Sequence, residues 1–284
     1  MTPRLLTHLQ ALVGERHPVT APSHLLAVED YLAAQFASMG YRVTSHSFES
    51  SNGTARNVVA TQEATSAVSH LPPLLIGAHY DTVSGSPGAD DNASALAVLL
   101  ETAQVMKDSS FERPLRFVAF CLEEQGLLGS TAYATMLRQQ QETIAGAIIL
   151  ECVGYARSEE GTQQTPPGVP LAVPTVGNFL AVVGNQASQS LTVAVEQAMR
   201  SHVAVVPLVV PGNGELLPDT RRSDHAAFWE QGFPAVMLTD TANFRNPHYH
   251  QPTDQLDTLN LDFMGQVVNG LAAVVTELAS HPFA

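Results

Sequence analysis

The stretch LLIGAHYDTVSGSPGADDNASALAVLL, residues 74–100, runs from an uninterrupted apolar segment through a turn-rich one and into apolar residues at helical spacing. An apolar run without alternation reads as a strand buried on both faces, the interior of a covered sheet. His79 stands at the end of that run, followed by Asp81, Asp90 and Asp91. Gly85, Pro87 and Gly88 let the chain turn back before the helix expected over 93–107. Polar chemistry at the carboxyl end of a buried strand, followed by a helix, is the unit from which open α/β sheets are built.

The same unit recurs outward from this point. Residues 115–122 and 144–152 read as further buried strands with a helix over 130–141 between them. On the N-terminal side a helix is expected over 25–39, with Ser23 as N-cap and Gly40 as its stop, then strands near 41–48 and 57–61. On the C-terminal side the order is strand 179–183, helix 188–201, strand 203–210, short helix 224–231, strand 234–238 and a final helix over 261–278. The alternation indicates an α/β fold, a mainly parallel sheet covered by helices on both faces. Only 156–178, rich in Pro and Gly, breaks the rhythm and reads as a long surface loop. Without repeats or a long polar linker, residues 1–284 are expected to form a single domain.

The 284 residues carry a net charge of −14, from 27 acids against 13 bases. That balance argues against nucleic acid, which needs basic patches, and favours a metal cation. With 45% hydrophobic and 14% charged residues, the composition is globular. No run is read as long enough to span a membrane, and no secretory h-region is read at the N-terminus, so a cytoplasmic location is expected. Cys121 and Cys152 each lie inside an apolar strand and are expected as buried free thiols.

Chemistry clusters at the strand ends: HYD at 79–81 with GADDN at 88–92, LEE at 122–124 and LEC at 150–152. NPHYHQPTD at 246–254 follows the strand ending near Leu238. Histidine nitrogen with carboxylate oxygen suits zinc, and the lack of clustered cysteines points to a catalytic, hydrolytic site. Two metals fit such a set if one carboxylate bridges them, while one acid must stay free as general base. His248 and His250 compete for one ligand place. SDHAAF at 223–228 offers Ser223 as an N-cap, with Asp224 and His225 near the site; the absence of GxSxG speaks against a serine hydrolase.

As an ordered set, these motifs resemble the zinc exopeptidases that include bacterial di-zinc aminopeptidases, glutamate carboxypeptidase and glutaminyl cyclases. The resemblance extends from about residue 20 to the end. It implies a three-layer α/β/α fold around a mixed, mostly parallel sheet, and two Zn2+ per chain. His79, Asp91, Glu124, Glu151 and His250 would be the metal ligands, with Asp91 bridging and followed by a cis peptide bond. Asp81 would orient His79, Glu123 would be the general base and Tyr249 an oxyanion donor. Many members of the family carry Asp where this chain has Glu151. Asp90 is read as structural and is expected to tolerate substitution better than His79, Asp81 or Asp91.

The expected function is that of an aminopeptidase acting on peptides or small aminoacyl substrates, with neither nucleic acid nor membrane as partner. A glutaminyl-cyclase-like acyltransferase or carboxypeptidase specificity are the alternatives. A non-catalytic binding module fits less well, because every proposed ligand position carries a competent residue. Glu151 or Asp240 would meet a substrate amine; Arg221, Arg222 or Arg245 would meet a substrate carboxylate. Selectivity is expected from 156–178 and 212–222.

Overall fold

The computed structural model describes residues 1–65, 70–169 and 172–280, so 170–171 of the long loop lie outside the described residues. Among the described residues, eight strands form one sheet, in the order β1-β2-β4-β3-β5-β8-β6-β7. β1 (Arg42–Ser50) and β2 (Gly53–Gln62) form an antiparallel hairpin, and β2 is also antiparallel to β4 (Leu115–Phe120). The centre is parallel: β4, β3 (Leu74–His79), β5 (Gly146–Glu151) and β8 (Ala235–Thr239) run the same way. β6 (Leu180–Asn185) opposes β8 and runs parallel to the edge strand β7 (Val205–Val210). The sheet is thus mixed and mostly parallel, as the motifs imply.

Side-chain alternation builds a core on each face. β3 sends Leu74, Ile76 and Ala78 into the larger core, and Leu75 into the smaller one. The larger core is filled by α1 (Thr2–Leu12), α2 (Pro22–Ser38), α3 (Ala95–Met106), α5 (Gln189–Met199) and α7 (Leu261–Ser280). α4 (Leu128–Gln139) and α6 (His225–Glu230) cover the opposite face through Tyr133, Leu137, Phe228 and Trp229.

Some elements differ from the sequence expectation. α1 was not anticipated, although Leu5, Leu9 and Leu12 mark its buried stripe. α2 begins at Pro22, whose fixed φ suits the first helical position, so Ser23 lies within the first turn and no side chain caps the helix. α7 is long and apolar enough to cross a membrane by length and composition, which the run-based reading did not find. In this fold Val267, Leu271, Val274 and Leu278 on α7 are buried in the larger core.

Because β4, β3, β5 and β8 are parallel and in register, their carboxyl ends form one rim. His79 pairs with Phe120, and Glu151 with Thr239. Residues far apart in sequence therefore meet beyond this rim.

Candidate metal centre

Four of the five expected ligands leave a buried atom without a hydrogen-bond partner: His79 Nε2, Asp91 Oδ1, Glu124 Oε1 and His250 Nε2. All converge. His79 Nε2 lies 3.2 Å from Asp91 Oδ1 and 3.4 Å from Glu151 Oε2. His250 Nε2 lies 3.0 Å from Asp91 Oδ2 and 3.2 Å from Glu124 Oε1. The two Asp91 oxygens therefore face different histidines, as a bridging carboxylate requires. Among the described residues three groups have potential ligand atoms within 4.8 Å of one another: His79–Glu123–Glu151 and Asp91–Glu124–His250, each built on one histidine, and Asp91–Glu151–Cys152, which joins them. Two histidines and oxygen donors around unpartnered buried atoms are the donor set of zinc.

The charges show the same demand for a cation. Burial opposes charge on His79, yet Glu151 and Glu123 hold its imidazole well above the ordinary histidine range. Burial likewise opposes charge on His250, but Asp91 and Glu124 raise it to about 10. Burial and the neighbouring Asp91 push the Glu124 carboxyl up to about 7. Removal of bound metal by a chelator is therefore expected to lower the melting temperature, and added zinc to restore it, as scanning calorimetry would record.

Local backbone explains how adjacent residues serve separate groups. β4 ends at Phe120, Leu122 and Leu127 take positive φ, and Glu123 C=O accepts the N–H groups of Gly126 and Leu127. That tight turn aims Glu123 at the His79 group and Glu124 at the His250 group. Asp91–Asn92 is a cis peptide, as expected. Asn92 is tied down by its amide: Nδ2 donates to Leu150 O at 3.0 Å and Oδ1 accepts Cys152 N–H at 3.0 Å. Asp254 accepts the N–H groups of Asp90 and Asp91 at 2.9 and 3.1 Å, which fixes the Asp91 backbone from behind.

Asp81 needs a correction. Its carboxylate is 3.6 Å from His79 Nδ1, beyond hydrogen-bond range, whereas its main-chain carbonyl is 3.2 Å away. The carboxylate instead accepts Glu123 N–H at 3.0 Å and Glu124 N–H at 3.1 Å. Asp81 thus orients His79 through its backbone and the two glutamates through its side chain. The resemblance implied a pairing through the carboxylate; the sharp turn after β4 presents two backbone N–H donors to it instead.

Asp90 has the structural place expected of it. It is fully buried, accepting Gly154 N–H at 2.9 Å and Asn246 Nδ2–H at 2.7 Å. Asp90→Ala would strand both donors, so the expected cost is about 2–4 kcal/mol, readable by urea denaturation. Its sequence neighbourhood gave no hint of partners some 64 and 156 positions away.

Glu151 reaches His79 despite its extra methylene. Ser223 Oγ donates to Glu151 Oε2 at 2.7 Å, and Cys152 Sγ lies 3.4 Å from Oε1. Ser223 is therefore not the expected N-cap of α6, which has Asp224 at that position and no side-chain cap. Both cysteines are buried and free. His248 is turned away, its Nδ1 2.9 Å from Thr253 Oγ1, and His250 is the histidine that faces Asp91 and Glu124. The Tyr249 ring stacks on His250 with centroids 3.8 Å apart, and its hydroxyl accepts Arg222 Nη2–H at 3.2 Å.

His225 lies outside this group. It is fully buried against Trp229, with Nε2 2.8 Å from Thr220 O. Burial lowers its pKa to about 4, below the unfolded value of about 6.5. The unfolded chain then takes up a proton between those values that the folded chain refuses. The stabilisation is complete above about pH 6.5 and is lost as pH falls toward 4, at most about 3 kcal/mol. Wild type should lose more stability than His225→Gln between pH 7 and 4.5 in parallel urea titrations.

An apolar pocket opens beside Glu151 and Tyr249. Its floor is the face of β6, β7 and β8 at Val183, Leu208 and Met237, and the long loop contributes Val169 and Val173. Thr220 and Arg222 from the second segment expected to confer selectivity also line it. Asp240 does not face it: its carboxylate accepts Tyr155 N–H and Ala242 N–H. Arg245 is buried and donates to Gln163 Oε1, while Arg221 pairs with Glu230. Of the three arginines considered from sequence, Arg222 is the one that lines the pocket.

This fold and its paired histidine–carboxylate groups define a class of metal-dependent hydrolases. Residues 57–275 match the model of Peptidase family M28, and the chain belongs to that family. It is 34% identical over 277 residues to Uncharacterized protein YfbL of Escherichia coli, across 91% of this chain and 83% of that one. Leucine aminopeptidase 1 of Arthroderma otae is 26% identical over 226 residues, 72% of this chain and 54% of that one. The solved zinc aminopeptidase from Bacillus subtilis superposes with a TM-score of 0.60 at 25% identity, covering 81% of this chain and 52% of that one. The chain thus spans about half the length of these two aminopeptidases. Membership in the family makes it a peptidase-type hydrolase and implies zinc.

Proposed function

We propose that the chain is a zinc aminopeptidase that removes an apolar residue from the N-terminus of a peptide. The observation that carries this reading is the apolar pocket opening at Glu151 and Tyr249, beside the two histidine–carboxylate groups. A leucine-sized side chain fills such a pocket, while the substrate's ammonium group meets the carboxylate of Glu151 at its edge. The aminopeptidases among its relatives support the same direction.

His79, Asp91, Glu124, Glu151 and His250 would hold two zinc ions, with Asp91 between them. Bound zinc supplies Lewis acidity that makes water a better nucleophile and polarises the scissile carbonyl. Glu123 accepts the proton of the attacking water and returns it to the leaving amine. In the metal-free site burial pushes its carboxyl well above the ordinary range against the pull of His79, with Glu151 and Asp224 adding to the push. Asp81 fixes the Glu123 backbone. Because Arg222 donates to the Tyr249 oxygen, the phenolic hydrogen is left for the developing oxyanion. Tyr249→Phe should lower kcat about 10²–10³-fold, the usual loss of one oxyanion donor, with little change in KM.

The test is a panel of zinc-loaded assays. Leucine, methionine and phenylalanine p-nitroanilides should be cleaved at least about 10-fold faster than the glycine anilide, and N-acetyl-leucine anilide not at all. Equal cleavage of the acetylated substrate, or cyclisation of N-terminal glutaminyl peptides without hydrolysis, would overturn the proposal.

A further inference from the structure

Arg16 lies in the turn between α1 and α2, ahead of the residues matched by the family model. It is fully buried. Among the described residues, the hydrogen-bond acceptors of its guanidinium are all main-chain carbonyls. Nε donates to Tyr80 O at 2.8 Å, Nη2 to Gly88 O at 2.9 Å, and Nη1 to Leu12, Gly14 and Pro87 O at 2.6, 2.8 and 3.0 Å. Its own N–H donates to Thr82 Oγ1 at 2.8 Å. Tyr80 stands between His79 and Asp81, Thr82 follows Asp81, and Pro87–Gly88 lead to Asp91. The one side chain therefore grips both ends of the loop that joins a terminal metal ligand to the bridging one.

The fit is close. Gly88 has a positive φ of 60°, and a Cβ there would lie 2.4 Å from Asp91 O and 2.7 Å from Arg16 Nη2, so the guanidinium occupies the space that a side chain would need. Charge adds a second observation. Burial lowers the Arg16 pKa to about 10, which leaves it a cation at neutral pH. The acids whose fields act on it are Asp91, Asp81, Asp254 and Glu124. Asp91 and Glu124 are expected ligands, and the other two brace ligand backbone.

We infer that Arg16 is a positioning residue for the metal centre: it holds the His79–Asp81 turn and the Asp91 loop at a fixed separation, and gives the surrounding acids a permanent counter-charge. The inference rests on the metal reading of the site. A lysine would keep the charge, but a single ammonium cannot span the carbonyls of Tyr80 and Gly88.

The experiment measures zinc affinity by competition with a chromophoric chelator, independently of turnover, alongside melting temperature. Arg16→Lys should weaken zinc binding roughly 10–100-fold, the usual effect of losing a group that orients ligands. Thr82→Val, which cuts only the main-chain tie, should shift affinity the same way by less. Tyr41→Phe loses a buried hydrogen bond to Ala103 O far from the site; it should lower the melting temperature and leave zinc affinity at the wild-type value. Wild-type affinity in Arg16→Lys, or a loss no larger than that of Tyr41→Phe, would reduce Arg16 to a structural bolt and overturn the inference. Should Arg16→Lys fail to fold, unchanged zinc affinity in Thr82→Val overturns it. Wild-type protein that binds no zinc overturns the metal reading itself.

Discussion

Glu123→Gln should bind zinc as wild type does and lose about 10²–10⁴-fold in kcat, the usual contribution of a positioned general base. The substitution is nearly isosteric, and the backbone N–H of residue 123 keeps its bond to Asp81 Oδ1, so the turn that also aims Glu124 survives. What is lost is proton uptake. An amide cannot accept the proton of the attacking water or return it to the leaving amine. Metal analysis, melting temperature and steady-state kinetics on one preparation separate these effects: metal and stability near wild type, kcat collapsed. Intact kcat would remove Glu123 from the role of base.

Asp91→Ala should have a larger effect, since it removes the group that both histidines share. Its two oxygens lie 3.2 Å from His79 Nε2 and 3.0 Å from His250 Nε2, so each half of the centre loses a donor. Hydrolysis should fall to background and zinc content below that of any variant with one terminal ligand removed. His250→Ala is the comparison: it takes a donor from the Asp91–Glu124 group alone and should leave the His79–Glu151 half able to bind. Equal zinc content in Asp91→Ala and wild type would exclude a bridging role. The pair also bears on pH. Burial would raise the Asp91 carboxyl, but His250 and His79 pull it below the ordinary aspartate range. In the metal-free centre that carboxylate therefore stays ionised as pH falls.

Much of this centre is legible in the sequence because the chemistry sits at strand ends. An uninterrupted apolar run such as 74–78 fixes a buried parallel strand, and such strands share one rim, so His79, Glu123, Glu124 and Glu151 must approach one another. The residue pattern alone leaves His248 and His250 in competition, the resemblance points to His250, and the fold turns His250 toward Asp91 and His248 toward Thr253. What the sequence hides is the supporting network, because its bonds join segments with no local pattern between them. Asp81 looked like the partner of its neighbour His79, yet it serves a turn 42 and 43 positions away. Ser223 has the composition of a helix cap but donates to Glu151. Arg16 resembles any surface arginine, and only burial among carbonyls reveals its use. The pocket is illegible for a related reason: its walls come from strand faces that also read as ordinary core and from a loop without periodicity.

The most direct test of the account is to titrate metal-free protein with zinc while following hydrolysis of leucine p-nitroanilide. The account predicts that activity rises with bound zinc and reaches its plateau at two equivalents per chain, with a plateau about 10²–10⁴-fold lower in Glu123→Gln. Two equivalents bound with no hydrolysis of any free-amine anilide would contradict it.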